Sequence, residues 1–449
     1  MLYFIAVWIV LMVVCCPIGL ALLNGLSLDG FDRLGDRLIT SLWVGVVVLA
    51  IALLAVSLIL PLSPLVGAVV AIGLCALALE WRKTRVELTT IAARSGSRHR
   101  ILSFLGWAIA IAALSSRQVT WHDTGYYHYG LIQWLSQYGT VPGLSLLFSN
   151  LGFTSSWFAL AAPLNASFFE ARVSAVTNGF VLLLAVLHGL VCLRQARNGA
   201  RFSDRFAMAF LLIMLPVTLW LDPMSSILVS PSPDLPIAFL VGLVSWAMLV
   251  VAQKPAPSNR AMDDRIVPLI LATGAFTIKL TALPVLAISS LFFVLKQGAT
   301  GRRILLGGAI VGFLLSPMLI SGTLTSGCPL YPATALCLDL PWSPPAQAVQ
   351  QIAANTHNWT TWYGTPPSGT HPWLWAIGQW FNTSPKEKVT VAIILGAIGS
   401  AIYVLKTHFF KAQALRRGEV WVAAMGILGI TFLMLTSPFF DLPCRILQF

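Results

Sequence analysis

Residues 266–296 read IVPLILATGAFTIKLTALPVLAISSLFFVLK, an apolar run interrupted by one cation, Lys279. Arg265 precedes it, and Lys296, Arg302 and Arg303 close it. In a membrane protein, Lys and Arg collect on the cytoplasmic side of short loops. Both ends of this run therefore belong on one side. A single helix cannot return to the side it left, but two short helices can. The reading is a helical hairpin with Lys279, Leu280 and Thr281 at its outer turn.

The rest of the chain agrees with that setting. Of 449 residues, 57% are apolar and only 10% charged, against about 25% charged in soluble domains. This excludes a cytosolic enzyme, a disordered chain and a disulfide-stapled secreted domain. Apolar stretches lie near 2–23, 39–60, 62–80, 101–115, 171–194, 206–221, 235–252, 266–280, 282–296, 303–320, 389–405 and 420–437. In hydrocarbon each must satisfy its backbone internally, which requires helices. The expected fold is all-α: a polytopic integral membrane protein of about 12 transmembrane helices, forming one transmembrane domain over 1–449. Residues 1–23 lack a basic start and a cleavage site, so they read as a retained helix.

The net charge of +12 is mostly a topology signal. The alternate connections 24–38, 81–100, 194–205, 253–265, 296–303 and 406–419 hold 22 of the 28 Lys and Arg. They are expected inside, with both termini outside and no nucleic-acid partner. Carboxylates divide nine inside to seven outside. The stretch 151–169 is apolar enough for a span, but counting it would place Arg194, Arg197, Arg201 and Arg205 outside. It reads instead as part of one large outer segment, 116–170, with juxtamembrane or re-entrant helices. A second long outer segment is 321–388. These two form the candidate active face.

Residues 117–150, RQVTWHDTGYYHYGLIQWLSQYGTVPGLSLLFSN, gather His122, Asp123 and His128 among aromatic rings. The rings suit an aromatic belt at headgroup level. Asp123 follows a long apolar helix, where a carboxylate is costly unless used or paired. It is either a helix N-cap before Tyr126–Tyr138 or a functional carboxylate. The helix would carry Tyr127, Leu131, Trp134, Leu135 and Tyr138 on one stripe, stop at Gly139 and turn at Pro142-Gly143. Asp234, in SPSPDLP, suits a helix start. Lys279 needs an anion, from the protein or from a ligand phosphate, unless it snorkels. Cys328 and Cys337, nine apart in one outer segment, are a candidate disulfide. His357 and His371 lie in an aromatic stretch, a lid or another belt.

The order of these features resembles the GT-C superfamily of multi-span glycosyltransferases. They are an outer-loop aspartate after a span, a SPSPDLPIAFL helix start, a K-L-T turn, and SGCPLYP at a helix end, with Tyr331. WHDTGYYHYGLIQWLSQYGTVPGLSLLFSNLGFTSSWF is similar to a segment of a bacterial GT-C-like membrane protein group. The resemblance implies a polyprenyl-phosphate-linked sugar donor, transfer on the outer face of the inner (plasma) membrane, and Asp123 as catalytic base. His122, His128, Asp234, Lys279 and Tyr331 would bind substrate. There is no second acid beside His122-Asp123-Thr124, where many members have one. No metal or other cofactor is expected, since hard divalent cations prefer several oxygen ligands. A lipid-linked polysaccharide polymerase or ligase is the alternative enzyme, although 321–388 has two His and no Arg. A transporter is the non-enzymatic alternative, although no repeat is visible.

Overall fold

The structure, a computed structural model, describes residues 1–165, 173–197, 199–253, 262–295, 300–357, 364–383, 385–408 and 418–436. Arg172, Cys444, Arg445 and parts of the basic connections (254–261, 296–299, 409–417) lie outside the described residues.

No strand occurs among the described residues. The chain opens with α1 (Leu2–Gly25), α2 (Leu34–Ser57), α3 (Pro64–Glu80), α4 (Arg82–Ser95) and α5 (Arg98–Ser115). Residues 116–165 carry a π turn (Thr124–His128) and the short helices α6 (Tyr129–Gln137), α7 (Leu144–Leu147) and α8 (Ser156–Ala161). Then come α9 (Val176–Ala196), α10 (Phe202–Trp220), α11 (Met224–Leu228) and α12 (Asp234–Ala252). The hairpin is α13 (Ile266–Ile278) and α14 (Leu283–Leu295), followed by α15 (Gly301–Ser326). The chain continues through α16 (Ala346–His357), α17 (Pro372–Thr383), α18 (Pro385–His408) and α19 (Gly418–Thr436). Each of the twelve apolar stretches falls on a helix.

This is an all-helical membrane protein. Among the described residues six helices are long and apolar enough to cross a bilayer: α1, α2, α9, α10, α12 and α15. A seventh span results if α3 and α4, bent by 101°, count as one. The hairpin arms and α19 are shorter apolar helices. The 12-span expectation thus exceeds what length and hydropathy establish. An arm of 13 residues rises about 20 Å, against about 30 Å of hydrocarbon. Every residue of α13 is buried, so its short length is met by protein rather than lipid.

The basic connections hold one another. Arg33 donates to Asp36 and Asp204 at 2.7 Å each, and Arg201 donates to Asp32 at 3.0 Å. Arg37 binds Glu87, and also Asn24 at 2.7 Å. The Gly30 amide donates to Asp264 at 2.7 Å, and Arg303 donates to Asp263 at 3.0 Å. Five of the six basic connections are thereby tied together at one face.

The opposite face is bound together as closely. Thr140 N–H donates to the Ser57 carbonyl at 2.7 Å, and Gly143 N–H to the Leu324 carbonyl at 2.9 Å. Ser155 Oγ donates to the Ile278 carbonyl at 2.7 Å, and Ser156 lies 2.9 Å from the Thr277 hydroxyl. A helix leaves its last carbonyls unsatisfied, so Ser155 supplies what the end of α13 lacks. All six residues of α8 are buried. The described part of the stretch that hydropathy could take for a span, 151–165, is therefore packed within the protein, on α2 and near the tip of the hairpin.

Candidate functional site

Asp123 sits at the start of the π turn but makes no side-chain cap bond, so the capping alternative has no support in the geometry. Its carboxylate lies 3.6 Å from His122 Nδ1 and is about a quarter exposed. Burial raises its pKa above the usual aspartate value, and the charge of Asp234 raises it further. Lys279 and His122 oppose that shift without cancelling it. Asp123, Asp234 and Lys279 are therefore within electrostatic reach of one another, although 156 residues separate the first from the last.

Lys279 follows α13 in extended backbone, ahead of a 3₁₀ turn over Leu280–Ala282. The expected hairpin turn is there. Its ammonium binds the Asp234 carboxylate, so the anion it requires comes from the protein. Asp234 lies in the first turn of α12, where the dipole favours an acid. It also accepts from the Ser232 hydroxyl at 2.8 Å.

Two serines that sequence reasoning passed over join the parts. Thr124 Oγ1 donates to Ser230 Oγ at 2.7 Å, linking the π turn of Asp123 to the loop of Asp234. Ser232 N–H also donates to Ser230 Oγ, at 3.1 Å. The alternation Ser230, Ser232, Asp234 was the available signal, and serine between prolines is too common in loops to carry it. Deeper in, Asn178 donates to the carbonyls of Ile227 and Ser232 and accepts from the Trp157 indole. It anchors the same loop.

The two histidines part company. His122 is beside Asp123, half exposed, and stacks near Tyr126 at 5.3 Å. His128 is fully buried, and burial with the nearby Lys279 charge lowers its pKa to about 3. Tyr127 is held well above the ordinary phenol value by burial and by Asp123 and Asp234. Tyr331 stands further off: its ring packs 5.6 Å from Phe153, which packs 5.6 Å from Tyr127. Burial raises its pKa to about 12, and its buried hydroxyl has no hydrogen-bond partner among the described residues. Phe153 and Phe158 also line a narrow cleft with Leu131, Trp134, Thr154 and Thr325.

The expected stripe holds in part. Leu131 is buried, Tyr127 and Trp134 pack against the core, but Tyr138 is 61% exposed because α6 ends at Gln137. Gly139 and Gly143 both take positive φ where the stop and turn were expected. Cys328 and Cys337 form a disulfide with Cα atoms 4.1 Å apart. His371 is exposed, while the side chain of His357 lies outside the described residues. Among the described residues no three His, Cys, Asp or Glu gather as metal ligands.

The chain matches the family described as a domain of unknown function (DUF8201) over residues 1–441, and it belongs to that family. No curated protein and no solved structure matches it.

Proposed function

We propose that this member of the family transfers a sugar from a polyprenyl-phosphate-linked donor to an acceptor hydroxyl at the outer face of the inner (plasma) membrane. The observation that carries the reading is the Asp234–Lys279 ion pair, whose charges act on Asp123, at the end of the protein opposite the basic connections. Asp123 has the basicity of a partly buried carboxylate, which suits a general base. It takes the acceptor proton as the new bond forms at the anomeric carbon and the sugar–phosphate bond breaks. Lys279, oriented by Asp234, supplies positive charge for the leaving phosphate. His122 and His128 border the same region, and Tyr331 stands further off behind Phe153. Its outward orientation is supported by the 22 Lys and Arg of the other face and by the disulfide, since disulfides persist in oxidising compartments. On this reading all twelve apolar helices cross or enter the bilayer, and the donor tail stays in it.

Asp123→Asn tests it. In membranes given a polyprenyl-phosphate sugar donor, transfer falls by about 100-fold or more, the usual contribution of a general base. Unchanged transfer in a folded, inserted variant refutes the assignment.

A further inference from the structure

His128 is buried, and its Nε2 has no hydrogen-bond partner among the described residues. A buried polar atom left unpaired is costly, so its retention calls for an explanation. The hydrogen bonds around the ring fix what that atom carries. Ser230 Oγ accepts twice, from the Thr124 hydroxyl and from the Ser232 amide. A serine hydroxyl has two lone pairs and one proton. With both pairs engaged, its proton is left for the remaining neighbour, His128 Nδ1, at 3.5 Å. Nδ1 is then an acceptor, and in a neutral ring the hydrogen lies on Nε2.

The π turn bears on where His128 stands relative to Asp123. The Tyr129 amide bonds the Thr124 carbonyl, five residues back. Asp123 and His128 are also five apart. Ordinary α winding would set them about 140° apart around the axis, whereas a π turn stacks residues i and i+5 more closely. π turns inside helices are frequent at functional sites.

We infer that His128 is held as the neutral Nε2–H tautomer by Thr124 and Ser230, and that with Asp123 it forms a receptor for one carbohydrate hydroxyl. The hydroxyl oxygen accepts from His128 Nε2–H and its proton faces the Asp123 carboxylate. This rests on the transfer reading and adds to it the group that aligns the acceptor. An uncharged oxygen fits better here than a second phosphate: two carboxylates already stand against one ammonium, and an added anion would be repelled. His128 is thus a donor that stays uncharged, and the base is Asp123.

The test needs no known sugar. Full-length protein with ¹⁵N-labelled histidine is purified in detergent, and His128 is assigned by difference from His128→Gln. Long-range ¹H–¹⁵N correlations are expected to show an Nε2–H ring, neutral throughout pH 5–8. An Nδ1–H or charged ring in the parent overturns the proposal. Ser230→Ala is expected to lose the preference for Nε2–H, while Ser230→Thr, which keeps the hydroxyl, retains it. An unchanged tautomer in a folded Ser230→Ala protein overturns the role of Ser230. Asp123→Asn is expected to move the Nε2–H proton resonance, with Asp29→Asn, at the exposed Lys83 pair among the basic connections, as the control. No movement means the two groups do not share a site. Loss of transfer in the enzymatic assay plays no part in these readouts, so the two readings fail separately.

Discussion

Removing Lys279 should expose how much the structure depends on its pairing with Asp234. The Asp234 side chain is 11% exposed and that of Lys279 is 26%. Breaking a buried pair by deleting one partner typically costs 3–5 kcal/mol, because a buried charge is left uncompensated. Partial exposure, the Ser232 hydroxyl and the start of α12 soften this, so Lys279→Met is expected to cost about 3 kcal/mol. Asp234→Asn leaves a more exposed ammonium with Asp123 still in reach, and is expected to cost about 2 kcal/mol. The double variant has no stranded charge between the two positions and should also cost about 3 kcal/mol rather than the sum, a coupling of about 2 kcal/mol. Detergent-micelle unfolding followed by tryptophan fluorescence reads this as roughly a 30-fold difference in equilibrium constant. If the two single effects add to within about 0.5 kcal/mol, the ion pair contributes nothing and the clustering of the site has another cause.

Three further outcomes follow from the geometry. Because the pKa of Asp123 is raised in the folded protein, folding favours its protonated form; the stability associated with that form is present at low pH and lost as pH rises through the elevated value. Asp123→Asn should therefore melt higher than the parent at neutral pH, with the gain vanishing below the ordinary carboxylate range, and a lower melting point at neutral pH contradicts this. Opening Cys328–Cys337, nine apart, should cost at most about 3 kcal/mol on loop-closure grounds, seen as faster proteolysis between residues 328 and 343 under reductant; equal rates argue against the bond. Gly139→Ala places a Cβ at φ +76°, 2.6 Å from the Ser57 carbonyl oxygen, and should cost about 2 kcal/mol or more, whereas Gly106→Ala, in open space on α5, should be neutral or stabilising by thermal melting.

Much of the architecture was legible because hydrocarbon admits few solutions. Apolar runs, the count of arginines and the lone interior lysine of 266–296, Lys279, were enough to place the helices, the hairpin and two opposed faces. Asp123, Asp234 and Lys279 were legible as a group because one side of the membrane collects them. Their pairing was not: Lys279 is 45 residues from Asp234, and nothing local distinguishes a partner in the protein from a ligand. The π turn was likewise invisible, since TGYYH carries no residue that demands it over an α turn. Hydropathy also cannot separate α8, which is buried in protein, from a span buried in lipid. The serines Ser155 and Ser156 look like ordinary loop residues until the carbonyl they satisfy is in place.

That last contact bears on how the protein is made. Ser155 and Ser156 meet Ile278 and Thr277, more than 120 residues later in the chain. During synthesis the apolar stretch around Trp157 emerges long before the hairpin that will receive it. Through that interval it has the composition of a membrane segment and can pack on α2, which precedes it, but not yet on the tip of the hairpin. On the topology read from the basic connections, insertion of one extra helix would carry Arg194, Arg197, Arg201 and Arg205 to the other side, which opposes insertion of the stretch. Docking on the hairpin is thus a late step of synthesis, and the four arginines that oppose insertion of the stretch lie further along the chain. Replacing those four residues with neutral ones would act on the nascent chain before it acted on the finished fold.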